Sequence, residues 1–288
     1  MKLSCQNVTK QFKDQTAVDN VSFTLSEPMI CGLLGRNGAG KTTLLRMIAN
    51  HFLPTSGQIQ LDGQRLWENE AAQRQIFFAT ESSYFGELKV GDLIRWMAAA
   101  YPHFQTEQCL NYAKQFDLDL KKNNLKLSTG YKSVLRVVLA LSAHTPLLLL
   151  DEPTLGMDAF HRELFYKLLI ESYSESPSCI LLSTHLIGEV EGLLERVFIL
   201  NRGRLLVDDS AEHLLCQGYC VSGRIAEVDD FCAGRHVIGA DVVGGLKTAA
   251  ILGERGEVPD TLDVTGLSLQ QLFVQLVGAE NSSDPSRE

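Results

Sequence analysis

Residues 29–48, MICGLLGRNGAGKTTLLRMI, join three local patterns without a break. The first six residues are almost continuously apolar, as in a strand buried on both faces. The glycine-rich run GRNGAGKTT follows over residues 35–43, and there Gly38 and Gly40 leave the backbone free to approach a ligand closely. The apolar spacing of TTLLRMIANHF then predicts a helix that ends before Pro54. Such a strand, turn and helix aims free backbone N–H groups and the positive end of a helix dipole at one point, a setting that favours an anion.

GRNGAGKTT also fits G-x-x-x-x-G-K-[ST] in the context that motif requires, which makes it a P-loop for a polyphosphate. Gly35, Arg36, Asn37, Gly38, Ala39 and Gly40 supply the backbone cradle, and Lys41 adds a point charge on the β- and γ-phosphates. Thr42, followed by Thr43, offers a hydroxyl to Mg²⁺, whose shell needs an acidic residue at the end of another buried strand. Asp151, after the apolar run LLLL, fits that need. An ordinary glycine turn would require neither the Lys-Thr pair nor the acid-tipped strand.

The 288 residues allow one large domain and a small appended one, and a hydrophobic content of 45% is ample for a core. The 26 Lys and Arg against 35 Asp and Glu give a net charge of −9, which argues against a broad grip on nucleic acid. The richest apolar stretch, VLRVVLALSAHTPLLLL, is broken by Arg136, His144 and Pro146, so no membrane span is expected. MKLSCQNVTKQF at the N-terminus alternates like a strand and has no apolar secretory core, so the chain is expected in the cytoplasm. Seven scattered cysteines suit reduced, buried thiols. His213, Cys216, Cys220, Cys232 and His236 could hold zinc in principle. They lack close CxxC pairs, however, and Cys216 reads as part of an apolar helix face, so packing is the better expectation.

Further along, residues 3–9, 21–25, 56–63 and 75–80 read as strands, and residues 86–125 as a mostly helical insert bearing Trp96, Met97, Tyr101, Phe104 and Phe116. Strand and helix alternate again from Leu147: LLLLD, a helix over 158–174, CILLST, a short helix from Leu186 and RVFIL. Parallel strands buried under helices are the natural architecture. After about residue 210, Gly-interrupted pieces and the amphipathic LSLQQLFVQLVG suggest a small α+β appendage, and the tail AENSSDPSRE should be mobile.

One segment, KLSTGYKSVLRVVLALSAHTPLLLLDEPT at residues 126–154, places a Ser-Thr-Gly turn at a helix start and an Asp-Glu pair at a strand end. With the P-loop before it and CILLSTH after it, the order of motifs resembles the ATP-binding cassette family of ATPases. The resemblance covers about residues 1–210, with a helical subdomain at about 82–145 and an accessory domain at 211–288. It implies an α/β P-loop NTPase cassette with a mixed sheet core, an antiparallel β subdomain and that helical subdomain. It also implies a head-to-tail dimer in which the ATP and Mg²⁺ held by one P-loop meet Ser128, Thr129 and Gly130 of the other subunit. A capping turn at Ser128 without a ligand is the bland alternative.

The remaining roles follow from the same resemblance. Glu152 matches the catalytic glutamate that orients the attacking water, so Glu152→Gln should bind ATP and hardly turn it over. His185 matches the switch histidine at the γ-phosphate, and Asp158 the residue that couples the two sites, although Asp158 also suits a helix N-cap. Phe12 matches the aromatic residue that stacks on adenine, with Val18 beside it. The chain departs from the family pattern at LSTGY, where LSGGQ is commonest, and at FFATESS, where Glu81 stands in place of a glutamine. A carboxylate there can still meet Mg²⁺ or water, but it adds negative charge beside the γ-phosphate.

LSTGYKS, DEPTLGMD and HRELFYK look most like the stand-alone ATPase subunits of bacterial type-2 exporters, in particular the YtrB-like group. The resemblance implies separately encoded transmembrane permease subunits, a second cassette of the same or another kind, and a place on the inner face of the cell membrane. The insert around residues 86–101 would then receive a short helix of the membrane partner, unless Trp96 and Tyr101 are core. Two alternatives stay open: a soluble ATP-driven factor acting on nucleic acid or ribosomes, and a weakly active regulatory cassette in a heterodimer.

Overall fold

In the computed structural model the chain opens with an antiparallel hairpin, β1 (Leu3–Phe12) and β2 (Gln15–Leu25), closed so that Phe12 faces Gln15 across the turn. Residues 1–82 and 85–282 are described. β2 starts earlier than the apolar pattern of 21–25 suggests, because pairing with β1 recruits polar residues from Gln15 onward into the ladder. Next come β3 (Met29–Leu34), α1 (Lys41–Ile48), β4 (Ser56–Leu61), β5 (Gln64–Arg65), α2 (Glu70–Gln73) and β6 (Ile76–Ala79). α1 stops short of residue 52, with Asn50 in the left-handed region at φ +61°. Then follow α3 (Val90–Ala100), α4 (Thr106–Gln115), α5 (Thr129–Ser142), β7 (Leu147–Asp151), α6 (Ala159–Glu175) and β8 (Cys179–Thr184).

The remaining elements are α7 (Ile187–Val190), β9 (Arg196–Asn201), β10 (Arg204–Ser210), α8 (Ala211–Gln217), β11 (Gly218–Arg224), α9 (Ile225–Cys232), β12 (Val237–Val243), β13 (Leu246–Leu252), β14 (Asp263–Gly266) and α10 (Leu269–Ser282). Two compact units result. One holds Met1–His185 and Leu200–Val207; the other holds Leu186–Ile199 and the chain from Asp208 onward. The second therefore begins at Leu186, and its chain is interrupted by residues 200–207 of the first.

In the first unit, β2-β1-β4-β5 form one sheet, with β1 antiparallel to both β2 and β4. In the same unit β3, β8, β7 and β6 run parallel and pair in that order. Every residue of β7 and β8 is buried, as their unbroken apolar runs require. α5 packs on α4, α6 and β6 and buries ten consecutive residues from Ser133 to Ser142. Parallel strands ending together beside α1 and α5 put Leu34, Ala79, Asp151 and Thr184 at one edge, where ligands of open α/β sheets bind.

The second unit has an antiparallel sheet of order β12-β13-β11-β14. Tyr219, Val221, Val228, Ala249, Ile251 and Leu262 form its core, with α9 supplying Val228. α10 extends to Ser282, so the first residues of the expected mobile tail are helical, while residues 283–288 lie outside the described residues. Cys5, Cys31, Cys109 and Cys179 are buried free thiols, but Cys216 is exposed, against the expectation of an apolar helix face. α8 buries Ala211 and Leu214, and Cys216 is two residues past Leu214, about 200° around the helix. Among the described residues no three or more His, Cys, Asp or Glu side chains cluster as a metal-ligand group. His213 pairs with Asp209 and Gln217.

Candidate active site

The P-loop turn depends on two glycines in the left-handed region, Gly38 at φ +81° and Gly40 at φ +104°. A Cβ on Gly40 would lie 2.3 Å from the carbonyl oxygen of Ala17, so β2 closes that position to any larger residue. No side chain caps α1, which leaves N–H groups of its first turn for a ligand. Lys41 is buried, and its Nζ donates to the carbonyl oxygens of Gly35 at 2.6 Å and Arg36 at 3.3 Å. Burial lowers its pKa from the ordinary lysine value, while the carboxylates of Glu152 and Asp151 oppose that shift.

Asp151 ends β7 buried within three hydroxyls. Ser183 Oγ donates to Oδ1 at 2.7 Å, Thr42 Oγ1 to the same oxygen at 3.1 Å, and Thr80 Oγ1 to Oδ2 at 3.3 Å. The bond from Thr42 joins the start of α1 to the end of β7. Glu152 takes φ +46°, a left-handed conformation that costs a non-glycine residue on the order of 1–3 kcal/mol and persists where the surroundings fix it. Its N–H donates to the Ser183 carbonyl at 3.0 Å, Oε2 lies 2.8 Å from His185 Nδ1, and Oε1 lies 3.9 Å from Lys41 Nζ.

One cleft of about 790 Å³ is lined by Phe12, Gln15, Ala17, the P-loop from Arg36 to Thr43, and Glu152. A second, of about 720 Å³, is lined by Thr42, Arg46, Thr80, Glu81, Ser82, Asp151, Glu152 and Leu155. Thr42 and Glu152 belong to both. Phe12 is 46% exposed, with its ring edge-on to Phe52 at 5.6 Å. Val18 is fully buried and lines neither cleft, and Ala17 and Gln15 occupy that wall instead. Gly35 also lies behind the lining: a Cβ there would come 2.6 Å from the Leu200 carbonyl oxygen.

Ser128 is the N-cap of α5, accepting from the Tyr131 N–H at 3.3 Å, and Asp158 is the N-cap of α6, accepting from the His161 N–H at 2.9 Å. The His161 imidazole lies 3.0 Å from the other Asp158 oxygen and 5.6 Å from the Tyr131 ring. A Cβ on Gly130 would approach the Gly156 carbonyl oxygen to 2.4 Å, so the first turn of α5 and the loop before α6 touch through that glycine. Ser128, Thr129, Gly130 and Asp158 line neither cleft of their own chain.

Sequence reading missed Thr80, Ser183, Ser133 and Arg136. The hydroxyls that end FFAT and CILLST carry a usable signal, since strand ends of such sheets face the crevice. Arg136 is visible as one cation inside an apolar helix, but its partners are not.

A buried parallel strand feeding a P-loop, one strand away from a strand tipped with Asp and Glu, defines a P-loop nucleoside triphosphatase. The family model described as ABC transporter matches residues 18–155. Bacitracin transport ATP-binding protein BcrA of Bacillus licheniformis is 30% identical over 212 residues, which cover 72% of this chain and 69% of that protein. ABC transporter ATP-binding protein YtrB of Bacillus subtilis (strain 168) is 29% identical over 204 residues, 70% of each chain. A solved structure of an ATP binding subunit of an ABC transporter aligns with a TM-score of 0.67 at 26% identity, covering 73% of this chain and 90% of that one. The chain belongs to the ABC transporter family, as an ATP-binding protein with ATPase activity. Among the described residues no helix is long and apolar enough to cross a membrane.

Proposed function

We propose that this chain is the ATP-hydrolysing subunit of an exporter, closing head-to-tail on a second cassette around two ATP molecules to drive separately encoded membrane subunits. The observation that carries this reading is the division of the site. Lys41, Thr42 and Glu152 line the chain's own P-loop cleft, whereas the exposed turns at Ser128 and Asp158 do not. An anion-seeking helix start that its own cleft leaves unused has a natural complement in the nucleotide of another cassette.

In this reading the P-loop amides and Lys41 bind the phosphates of ATP, and Phe12 offers its exposed ring to the adenine. The hydroxyl and carboxylate oxygens of Thr42 and Asp151 suit Mg²⁺, which, when bound, neutralises charge on the β- and γ-phosphates. Glu81 adds a carboxylate to the same cleft. Glu152, held by His185, orients the attacking water and accepts its proton. Association around ATP does the mechanical step, and hydrolysis resets it.

Similarity to YtrB and BcrA, whose names mark an ABC transporter ATP-binding protein and a bacitracin transport ATP-binding protein, supports a role in transport. Trp96 is 58% exposed, and Leu88 and Leu125 are also exposed, beside the bridge between Lys89 and Asn123. These side chains give the helical part an apolar surface for a short helix of the membrane partner, which would hold the protein on the inner face of the membrane. Tyr101, by contrast, packs on Phe77 at 5.1 Å. A net charge of −9 speaks against nucleic acid as the partner.

The test is light scattering on a sizing column, with purified Glu152→Gln protein. A monomer that becomes a dimer only with Mg-ATP is the expected result. A protein that binds ATP and stays monomeric would overturn self-pairing and move the second cassette to a different chain.

A further inference from the structure

We propose that Arg136 is a positioning residue for hydrolysis, tying together the two walls that flank Asp151 and Glu152. It lies in the buried stretch of α5 and is itself 6% exposed. Its Nη1 donates to the Thr80 carbonyl oxygen at 3.3 Å, and its Nη2 to Ser133 Oγ at 2.5 Å. Ser133 Oγ in turn donates to the Leu155 carbonyl oxygen at 2.6 Å. Thr80 and Leu155 line the same cleft as Asp151 and Glu152.

Thr80 reaches Asp151 through its hydroxyl at 3.3 Å, and the Leu155 N–H closes a turn on the Glu152 carbonyl at 3.2 Å. One guanidinium therefore grips the backbone after β6 directly and, through Ser133, the backbone that follows Glu152. A planar fork with donors in two directions suits this task better than a single ammonium. Burial lowers the pKa of the guanidinium, opposed by the carboxylates of Glu81 and Asp151, so the cation also sits in the field of the acids at the cleft. An apolar side chain of similar volume would be cheaper to bury, so the charge has a task beyond packing.

This inference rests on the reading of Glu152 as the residue that orients water, and the test separates the two. Arg136→Met, Arg136→Lys and Ser133→Ala are compared with wild type for melting temperature, affinity for a fluorescent ATP analogue and kcat. Hydrogen exchange of the nucleotide-free proteins is followed by mass spectrometry. Misplacing a catalytic group by about 1 Å costs up to about a hundredfold, so folded Arg136→Met should lose about ten- to a hundredfold in kcat while keeping analogue affinity within about threefold. Arg136→Lys should recover at least about threefold of that loss, and Ser133→Ala should add little to it, as members of one network do.

Exchange should quicken in peptides covering 76–82 and 152–158. A folded Arg136→Met protein with kcat within about twofold of wild type, or with kcat and affinity falling by the same factor, would overturn the proposal. So would unchanged exchange in both peptides. Glu152→Gln is run alongside: if it turns over ATP normally, the reading of Glu152 has failed, and the exchange result then decides by itself whether Arg136 ties the two walls.

Discussion

His185 and Glu152 are in direct contact, with the imidazole Nδ1 2.8 Å from the carboxylate Oε2, while Lys41 stands 3.9 Å from Oε1. With its backbone in the left-handed region, Glu152 points where these neighbours hold it. His185→Ala and Glu152→Gln should each lower kcat by on the order of a hundredfold or more. If the imidazole acts through the carboxylate, the double variant should be no slower than the slower single one, because residues that act as a unit are non-additive. Steady-state ATP hydrolysis decides this. Multiplying losses would mean that His185 acts on the phosphate independently of Glu152.

Gly40 and Gly38 share a left-handed backbone but differ in surroundings. Nothing lies within 4 Å of a Cβ on Gly38, whereas one on Gly40 would meet the Ala17 carbonyl oxygen at 2.3 Å. Gly38→Ala should therefore cost only the left-handed penalty of about 1–2 kcal/mol. Gly40→Ala must also push α1 away from β2, which should abolish ATP-analogue binding and lower the melting temperature further. Equal melting temperatures for the two variants would refute the close approach.

Ser128 separates a capping role from a ligand role. Removing the cap in Ser128→Ala should cost about 1 kcal/mol in urea unfolding. Ser128→Asp keeps a capping oxygen and should keep stability, yet it places a negative charge where the partner's phosphates would lie. In a Glu152→Gln background, Ser128→Asp is expected to prevent the ATP-dependent dimer. Normal dimerisation of that variant would leave Ser128 as a helix cap alone.

Strands that run parallel and buried declare themselves locally: the apolar runs Met29–Leu34 and Cys179–Thr184 coincide with β3 and β8. The P-loop motif is legible for a similar reason, since it rests on spacing along one short segment, whereas the role proposed for Glu152 comes from the family resemblance. Of the hydroxyls on Asp151, that of Thr42 is announced by its own motif, but those of Thr80 and Ser183 are not, standing 71 and 32 residues away in the chain. The first half of β2 escapes for want of apolar alternation, its polar residues being drawn into the ladder by β1. Cys216 misleads because α8 has only seven residues, too few for periodicity to fix which face is buried. Val18 misleads because neighbouring residues of a strand face opposite sides: Ala17 lines the cleft and Val18 fills the core.

Asp158 gives a pH dependence with a definite sign. Its carboxyl is held below the usual value of 3.8, first by the backbone N–H of His161 and further by the His161 side chain. As pH falls, the unfolded chain takes up this proton first, so between 3.8 and the lower folded value stability rises with pH. The contribution is complete above 3.8 and is lost as pH falls through the folded value. Asp158→Asn retains an oxygen to cap α6 but cannot titrate, so the difference in urea midpoint between wild type and variant isolates the effect. That difference should shrink below about pH 4. If it stays constant to about pH 3, the capping carboxylate contributes nothing through its charge, and Asp158 holds α6 as a neutral acceptor would.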